Sequence, residues 1–463
     1  MSRFVRNSKF RHVFGTAAKK DLCFDGVRPS RTAHDTNLIK ANSQYLGVCW
    51  EAGGGGAFAV FDQTKDVGKV SPTPPLFTGH KAAVLDLDFH PFNDYLIASA
   101  SEDCTVKIWQ IPEELKESQD TPLSTLAGHK RRVGAVLFHP TADNTLATVG
   151  GDLVIKLWDI EAGVAKVDIE AHHTDLINSI DFNYNGNLMV TSCRDKQLRI
   201  FDVRSGKLVQ QTESHQGVKG SRCLWLGDSN KIATTGFSRA SDRQMAIRDV
   251  NDLDNPIYSD NLDTSAGMLM PFYDEDCHIL YLAGKGDTTI RYFEVTDEKP
   301  HIHHISNYSG SDPSRGVAFV PKRAVNVNEV EIGRAYRLTT SFIEPISFKV
   351  PRKSELFQDD LFPEATSGEA PMSCAEFFGG KSVDGPKKIS LENGFVPGAR
   401  KDVSFKSVLT EEVKDDTPKN EKEYREAWAK LKAEVTDLQN KLTQKDIQIR
   451  VLEQKITTLE GGN

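Results

Sequence analysis

Residues 150–160 read GGDLVIKLWDI. Two glycines and Asp152 lead into Val154, Ile155, Leu157 and Trp158, residue types that suit a pleated, half-buried strand. The decisive feature is that the step from Asp152 to Trp158 repeats. The same six-residue interval separates Asp103 from Trp109, Asp195 from Phe201, Asp242 from Arg248 and Asp287 from Phe293. Upstream, His80 stands 23 residues before Asp103, His129 stands 23 before Asp152, and His172 stands 23 before Asp195. That spacing selects His172 over its neighbour His173 as the third repeating histidine. His215 stands 27 before Asp242, so its unit carries a four-residue insertion.

The positions equivalent to Trp158 are 61, 109, 158, 201, 248 and 293, spaced by 43 to 49 residues. A period near 45 with Gly-His early and Trp-Asp late is the signature of a WD-repeat propeller blade. The sequence therefore predicts an all-β fold, a seven-bladed propeller over residues 1–350. Its first unit is degenerate, with Phe61 in the aromatic place and Gly55 where the aspartate belongs. The seventh blade takes GVAFV, GRAYRLTTSFI and PISFKV from residues 316–350. SKFRHVFG, residues 8–15, supplies the fourth strand and closes the ring. Closure removes the sheet edges that otherwise invite aggregation. In this fold the aspartate closes a turn, the histidine bonds its carboxylate and the aromatic fills space between sheets. A buried carboxylate is costly unless hydrogen-bonded, so the pair is structural.

Beyond the propeller, residues 351–366 alternate charge with Leu356, Phe357, Leu361 and Phe362, as an extended arm packing back on the propeller would. Residues 367–418 are rich in Gly, Ser, Lys, Asp and Pro without apolar periodicity, which predicts a flexible linker. In residues 419–463 a heptad emerges. Trp428, Val435, Leu442, Ile449 and Ile456 form one core set; Tyr424, Leu431, Leu438, Lys445, Leu452 and Leu459 form the other. That pattern predicts a coiled coil and hence a homo-oligomer.

The chain has 463 residues and a net charge of −8, which excludes a global basic field for nucleic acid. MSRFVRNSKF is not a signal peptide, and no apolar run reaches membrane-spanning length. Seven scattered cysteines without a C-x-x-C pair suit reduced thiols and a cytoplasmic setting. AEFFGGKS, residues 375–382, fits a permissive phosphate-loop pattern, but the following VDGPKK breaks any helix. HIHH, residues 301–304, has no carboxylate or cysteine at a matching short spacing and is expected in a solvated inter-blade loop. No cofactor, metal site or convergent catalytic set is expected.

SKFRHVFG, the EAGGGGAF segment of the first blade and KSELFQDDLFP after the last blade resemble phrases of the coronin family of actin-binding proteins. The resemblance spans essentially the whole chain. It implies filamentous actin as partner, coiled-coil oligomerisation, a place in the actin-rich cortex, and contact with the complex of actin-related proteins that nucleates branched filaments. Within DGVRPSR it puts the main actin contact on Arg28. Residues 1–40 carry nine Lys or Arg against three aspartates, and of these Arg11, Lys19, Lys20 and Arg31 join Arg28 as candidate contacts for an acidic filament. Lys130, Arg131 and Arg132 form a second basic patch. Family trimers carry an Arg-apolar-x-x-apolar-Glu motif. The aligned QIRVLE, residues 448–453, has Gln448 in place of that arginine, which leaves trimer only slightly favoured over dimer. The reading is a non-catalytic scaffold that bundles filaments. The alternative is a WD-repeat adaptor without actin affinity, because fold alone does not fix function.

Overall fold

A strand packed on both faces has no reason to alternate. LIASAS at Leu96–Ser101, TLATVG at Thr145–Gly150 and ILYLAG at Ile279–Gly284 are buried at every position. Their small residues let a neighbouring sheet approach from each side. Outer strands alternate instead, as Leu208–Glu213 does. The computed structural model describes residues 8–53, 56–352, 356–398, 400, 403, 405, 428, 432 and 436. Six antiparallel four-stranded sheets and a seventh, larger sheet form the blades. Their first strands, such as Val84–Phe89, Val133–Phe138 and Ile177–Phe182, contact one another around a central axis.

The seventh blade closes with chain from both sides, though not quite as expected. Gly316–Phe319, Glu331–Leu338 and Phe342–Lys349 are joined by Phe14–Ala17, which registers Phe14 with Lys349. SKFRHVFG is strand only at its end. Phe10 and Val13 are buried in the core instead, and the Tyr292 hydroxyl donates to the Val13 carbonyl at 2.9 Å. Phe24–Asp25 extends the same edge alongside Phe342 and Ile343.

The repeating polar residues rivet one blade to the next. His80 ends the outer strand of the first blade, Phe77–His80, and Asp103 lies in the turn between the second and third strands of the second blade. His80 Nδ1 lies 2.8 Å from Asp103 Oδ2 and its Nε2 lies 2.7 Å from Ser99 Oγ, to which Trp109 Nε1 donates at 2.8 Å. His129, Asp152, Thr148 and Trp158 repeat this chain at 3.1, 2.7 and 2.8 Å. Burial alone would raise the Asp103 carboxyl, but hydrogen bonds from His80, Thr105 and Lys81 hold it below the usual carboxylate range. Asp152→Ala removes acceptors from His129, Lys130 N–H and Val154 N–H. It is expected to cost about 1–3 kcal/mol in urea unfolding without selective loss of partner binding.

The third repeat corrects the spacing argument. His173, not His172, makes the hydroxyl contact, Nε2 to Thr191 Oγ1 at 3.0 Å, across 18 residues instead of the 19 in the two preceding units. One residue fewer in that interval puts His172 in the arithmetic register while His173 takes the site. Asp195 is held by Arg199, at 2.8 Å, so no histidine is needed there. His172 meets Phe201 edge-on, ring centroids 5.3 Å apart.

HIHH is also corrected: Ile302–Ser309 is the outer strand of the sixth blade. Ile302 and Tyr308, an even number of residues apart, are its buried side chains, and His304 Nε2 lies 2.9 Å from Asn307 Oδ1.

Residues 367–405, expected as linker, are pinned over their described part. Ser373 caps a helix at Cys374–Phe378 through a reciprocal bond with Glu376. Phe377 is fully buried, 4.4 Å from the His139 ring and 4.3 Å from the Arg204 guanidinium. Arg204 also donates to the Phe377 carbonyl and to Ser382 Oγ, so the AEFFGGKS segment is a docking strap. Leu391 and Phe405 are buried as well. Of the arm, Leu361 and Phe362 are buried, Phe357 is partly so, and Leu356 is 80 % exposed.

Met1–Val408 form one unit and Leu409–Asn463 a second. In the second, Trp428, Lys432 and Thr436 are helical, and Thr436 Oγ1 donates to the Lys432 carbonyl at 2.8 Å. The heptad residues Leu431, Val435, Leu438, Leu442, Ile449, Leu452, Ile456 and Leu459 lie outside the described residues.

Burial pushes the imidazoles of His139 and His173 down to about 3 and about 4, the latter helped by repulsion from Arg199. The unfolded chain therefore binds protons near pH 6.5 that the folded chain refuses, so stability falls as pH drops through this window. Buried Asp181, raised to about 7 by desolvation, works with the opposite sign. His139→Gln, which keeps a donor for the Gly186 carbonyl, isolates the histidine. Wild type is expected to lose about 2–3 kcal/mol more than this variant between pH 7 and pH 4. Parallel stability curves would refute the assignment.

Candidate functional site

The loop bearing Arg28 is built to hold its main chain still. Gly26, at φ +88°, makes a turn that residues with a Cβ rarely adopt, and Val27 is buried beneath it. Gly26 N–H and Val27 N–H both donate to the Ser341 carbonyl of the seventh blade, at 2.8 and 2.9 Å. On the other side Glu51 N–H donates to the Arg28 carbonyl at 2.9 Å, and Ser30 N–H to the Cys49 carbonyl at 2.8 Å. Arg315 then ties down the Ser30 carbonyl at 2.9 Å. The loop thus stitches the seam between the first and seventh blades. Its backbone is pinned at these points, while the Arg28 side chain is exposed and has no partner among the described residues. A fixed backbone with a free guanidinium suits recognition of an external carboxylate.

Arg31 reaches Glu51, with Nε 3.8 Å from Oε2. Arg132 reaches Glu102 at 4.0 Å. Glu51 and Glu102 both directly follow the second strand of their blades, so Arg31 and Arg132 lie on the same face of the ring. Lys130 and Arg131 are exposed beside Arg132, and Arg132 itself anchors Gly151 N–H through its carbonyl at 2.8 Å. The fold thereby brings the two basic patches, 100 residues apart in sequence, to one surface. Both partial pairs are exposed and screened, leaving the face positive at little energetic cost.

The other candidates are placed elsewhere. Lys19 and Lys20 are exposed where the chain passes from Ala17, opposite Ile346, to Phe24, opposite Ile343. They stand on the outer edge of the seventh blade, beside the 48 % exposed Leu22. Arg11 precedes Phe14, whose partner Lys349 is at the far end of its strand from Ser341. It belongs to the opposite face from Arg28, because an antiparallel register reverses the order in which the N-terminus passes the two faces.

Sequence reading missed what fills the ring's axis. Residues 34–37 turn inward, where Lys285 donates to the His34 carbonyl at 2.9 Å and the Thr36 carbonyl at 3.3 Å. His34 Nε2 lies 2.7 Å from the Gly134 carbonyl. Nothing local in the sequence signals contacts across 250 residues.

A closed ring of WD blades with a charged, exposed face defines a WD-repeat β-propeller. The family comparisons agree. The WD domain, G-beta repeat, matches residues 73–110, 120–159 and 165–202; a type of WD40 repeat matches 343–384; and a domain of unknown function (DUF1899) matches 3–69. Coronin-A of Dictyostelium discoideum is 49 % identical over 453 residues, covering 98 % of this chain and 100 % of that one. A coronin-like protein of Saccharomyces cerevisiae is 42 % identical over 452 residues, covering 93 % and 69 %. The crystal structure of the WD40 domain from Toxoplasma gondii coronin superposes with a TM-score of 0.77 at 30 % identity, covering 82 % and 97 %. The chain belongs to the coronin family.

Proposed function

We propose that the protein is a non-catalytic scaffold that binds actin filaments through the face carrying Arg28 and bundles them through a C-terminal coiled coil. The observation that carries this reading is the Arg28 loop, hydrogen-bonded on both sides of a blade seam while its guanidinium faces solvent. Arg31 and the Lys130–Arg132 cluster extend the positive surface toward an acidic filament. Lys19 and Lys20 would reach only a partner that wraps the blade edge, and Arg11 lies outside the contact. Contact with the branched-filament nucleating complex and residence at the cell cortex are part of the same reading, which family membership supports. No helix among the described residues is long and apolar enough to cross a membrane. Co-sedimentation of the full chain with filaments over a salt series tests the proposal. Pelleting that weakens with salt supports it, and a protein that stays in the supernatant at low salt overturns it.

Bundling needs two propellers in one particle. Deleting residues 419–463 is expected to leave single-filament binding but abolish low-speed pelleting of bundles. Analytical ultracentrifugation of the full chain should show an oligomer, with trimer slightly favoured, that the deletion reduces to monomer. A deletion variant that still bundles would sink the assignment.

A further inference from the structure

We propose that the mouth of the central channel is a binding site for a compact, soluble ligand carrying clustered phosphate groups. A cavity of about 520 Å³ opens there, on the face of the ring that holds the inter-strand turns. That volume is typical of a small-molecule pocket. Four consecutive blades each place one cation on its wall: Arg132 in the third, Arg194 in the fourth, Lys219 in the fifth and Lys285 in the sixth. These are two pairs of repeat-equivalent positions. Arg132 and Lys219 precede the first strands of their blades, whereas Arg194 and Lys285 directly follow the second strands. The propeller's rotation therefore aims all four at one axial region. Asp35, 3.7 Å from Lys285 Nζ, is the one carboxylate on the wall among the described residues.

The arrangement selects the ligand's shape as well as its charge. An extended acidic peptide needs cations along a line. Here they stand on an arc around a recess, which fits several phosphates on a small carrier. Arg194 is exposed and makes no ion pair among the described residues. Lys219 is exposed, held by the Ala266 carbonyl at 2.9 Å and lying 4.7 Å from the Phe237 ring. Such a group is already positioned, so binding loses little side-chain freedom. Ala33, His34 and Asp35 line the cavity, so a ligand there would contact the segment that continues into the Arg28 loop. The site goes beyond the proposed actin contact, which is anchored at the seam of the first and seventh blades and shares only Arg132 with the cavity wall.

Isothermal titration calorimetry of the full chain with inositol hexakisphosphate, at physiological salt, tests the site. One ligand per chain is expected. The double substitution Arg194→Glu with Lys219→Glu should weaken binding by at least about tenfold. Lys207→Glu, a charge reversal on an exposed residue away from the mouth, should change it less than about twofold. Asp35→Asn should tighten binding by removing the opposing charge. Melting curves confirm that each variant is folded. The proposal is overturned if the probe does not bind, if the double variant binds like wild type, or if only vesicles containing a bisphosphorylated inositol lipid bind.

Discussion

Arg28→Asp is expected to weaken filament binding by at least about thirtyfold, which corresponds to ~2 kcal/mol. The change removes a donor held out by a rigid loop and puts a carboxylate against an acidic surface, so attraction becomes repulsion at one point. The fold should not register it. Val27, Pro29 and Ser30 are the buried residues of that loop, and the bonds through Ser341, Cys49 and Glu51 involve backbone atoms that the substitution leaves in place. Unfolding free energy should stay within about 0.5 kcal/mol of wild type. Arg11→Asp, on the opposite face, serves as a charge-matched comparison and should bind nearly as wild type does. If Arg28→Asp pellets with filaments like the unaltered protein, the seam loop is not the anchor and the basic face must be reassigned.

Phe377→Ala is expected to cost about 3–4 kcal/mol in urea unfolding, the largest stability effect argued for this chain. The ring is fully buried among Met372, Phe182 and Ala142, with His139 on one side and the Arg204 guanidinium on the other. Truncation leaves a cavity under a strap that is otherwise held by Arg204 and the Ser373–Glu376 cap. Filament binding per folded molecule should be unchanged, since the strap docks on the third and fourth blades and not on the seam. A loss below about 1 kcal/mol would mean that the strap is only loosely attached to the propeller.

These two residues differ in how they could be read. Arg28 could be singled out in the sequence because it sits in a short basic phrase with family resemblance, although the loop that carries it is tied down by Ser341 and Arg315 of the distant seventh blade. Phe377 could not. AEFFGG is too short for helical periodicity, and its Gly- and Ser-rich surroundings match a linker in composition. Its partners His139 and Arg204 lie in two different blades far upstream. Composition averages over such a segment, whereas one buried aromatic is enough to anchor it.

The class of fold was readable along the chain, because a blade is a local unit whose turn, strand and hydroxyl–indole contacts recur at a fixed interval. His80, Asp103 and Trp109, and then His129, Asp152 and Trp158, meet as their spacing says. The choice between His172 and His173 needed the packed blades, since one residue gained or lost in a loop changes the count without changing the site. Tertiary structure likewise decided which cations share a face. Arg28, Arg31 and Arg132 converge while Arg11 does not, because ring closure and antiparallel register, not distance along the chain, set which end of a blade a residue occupies. The channel plug at residues 34–37 belongs to the same class. Its bonds to Gly134 and Lys285 exist only once the seventh blade has closed the ring and given the N-terminal segment an axis to enter.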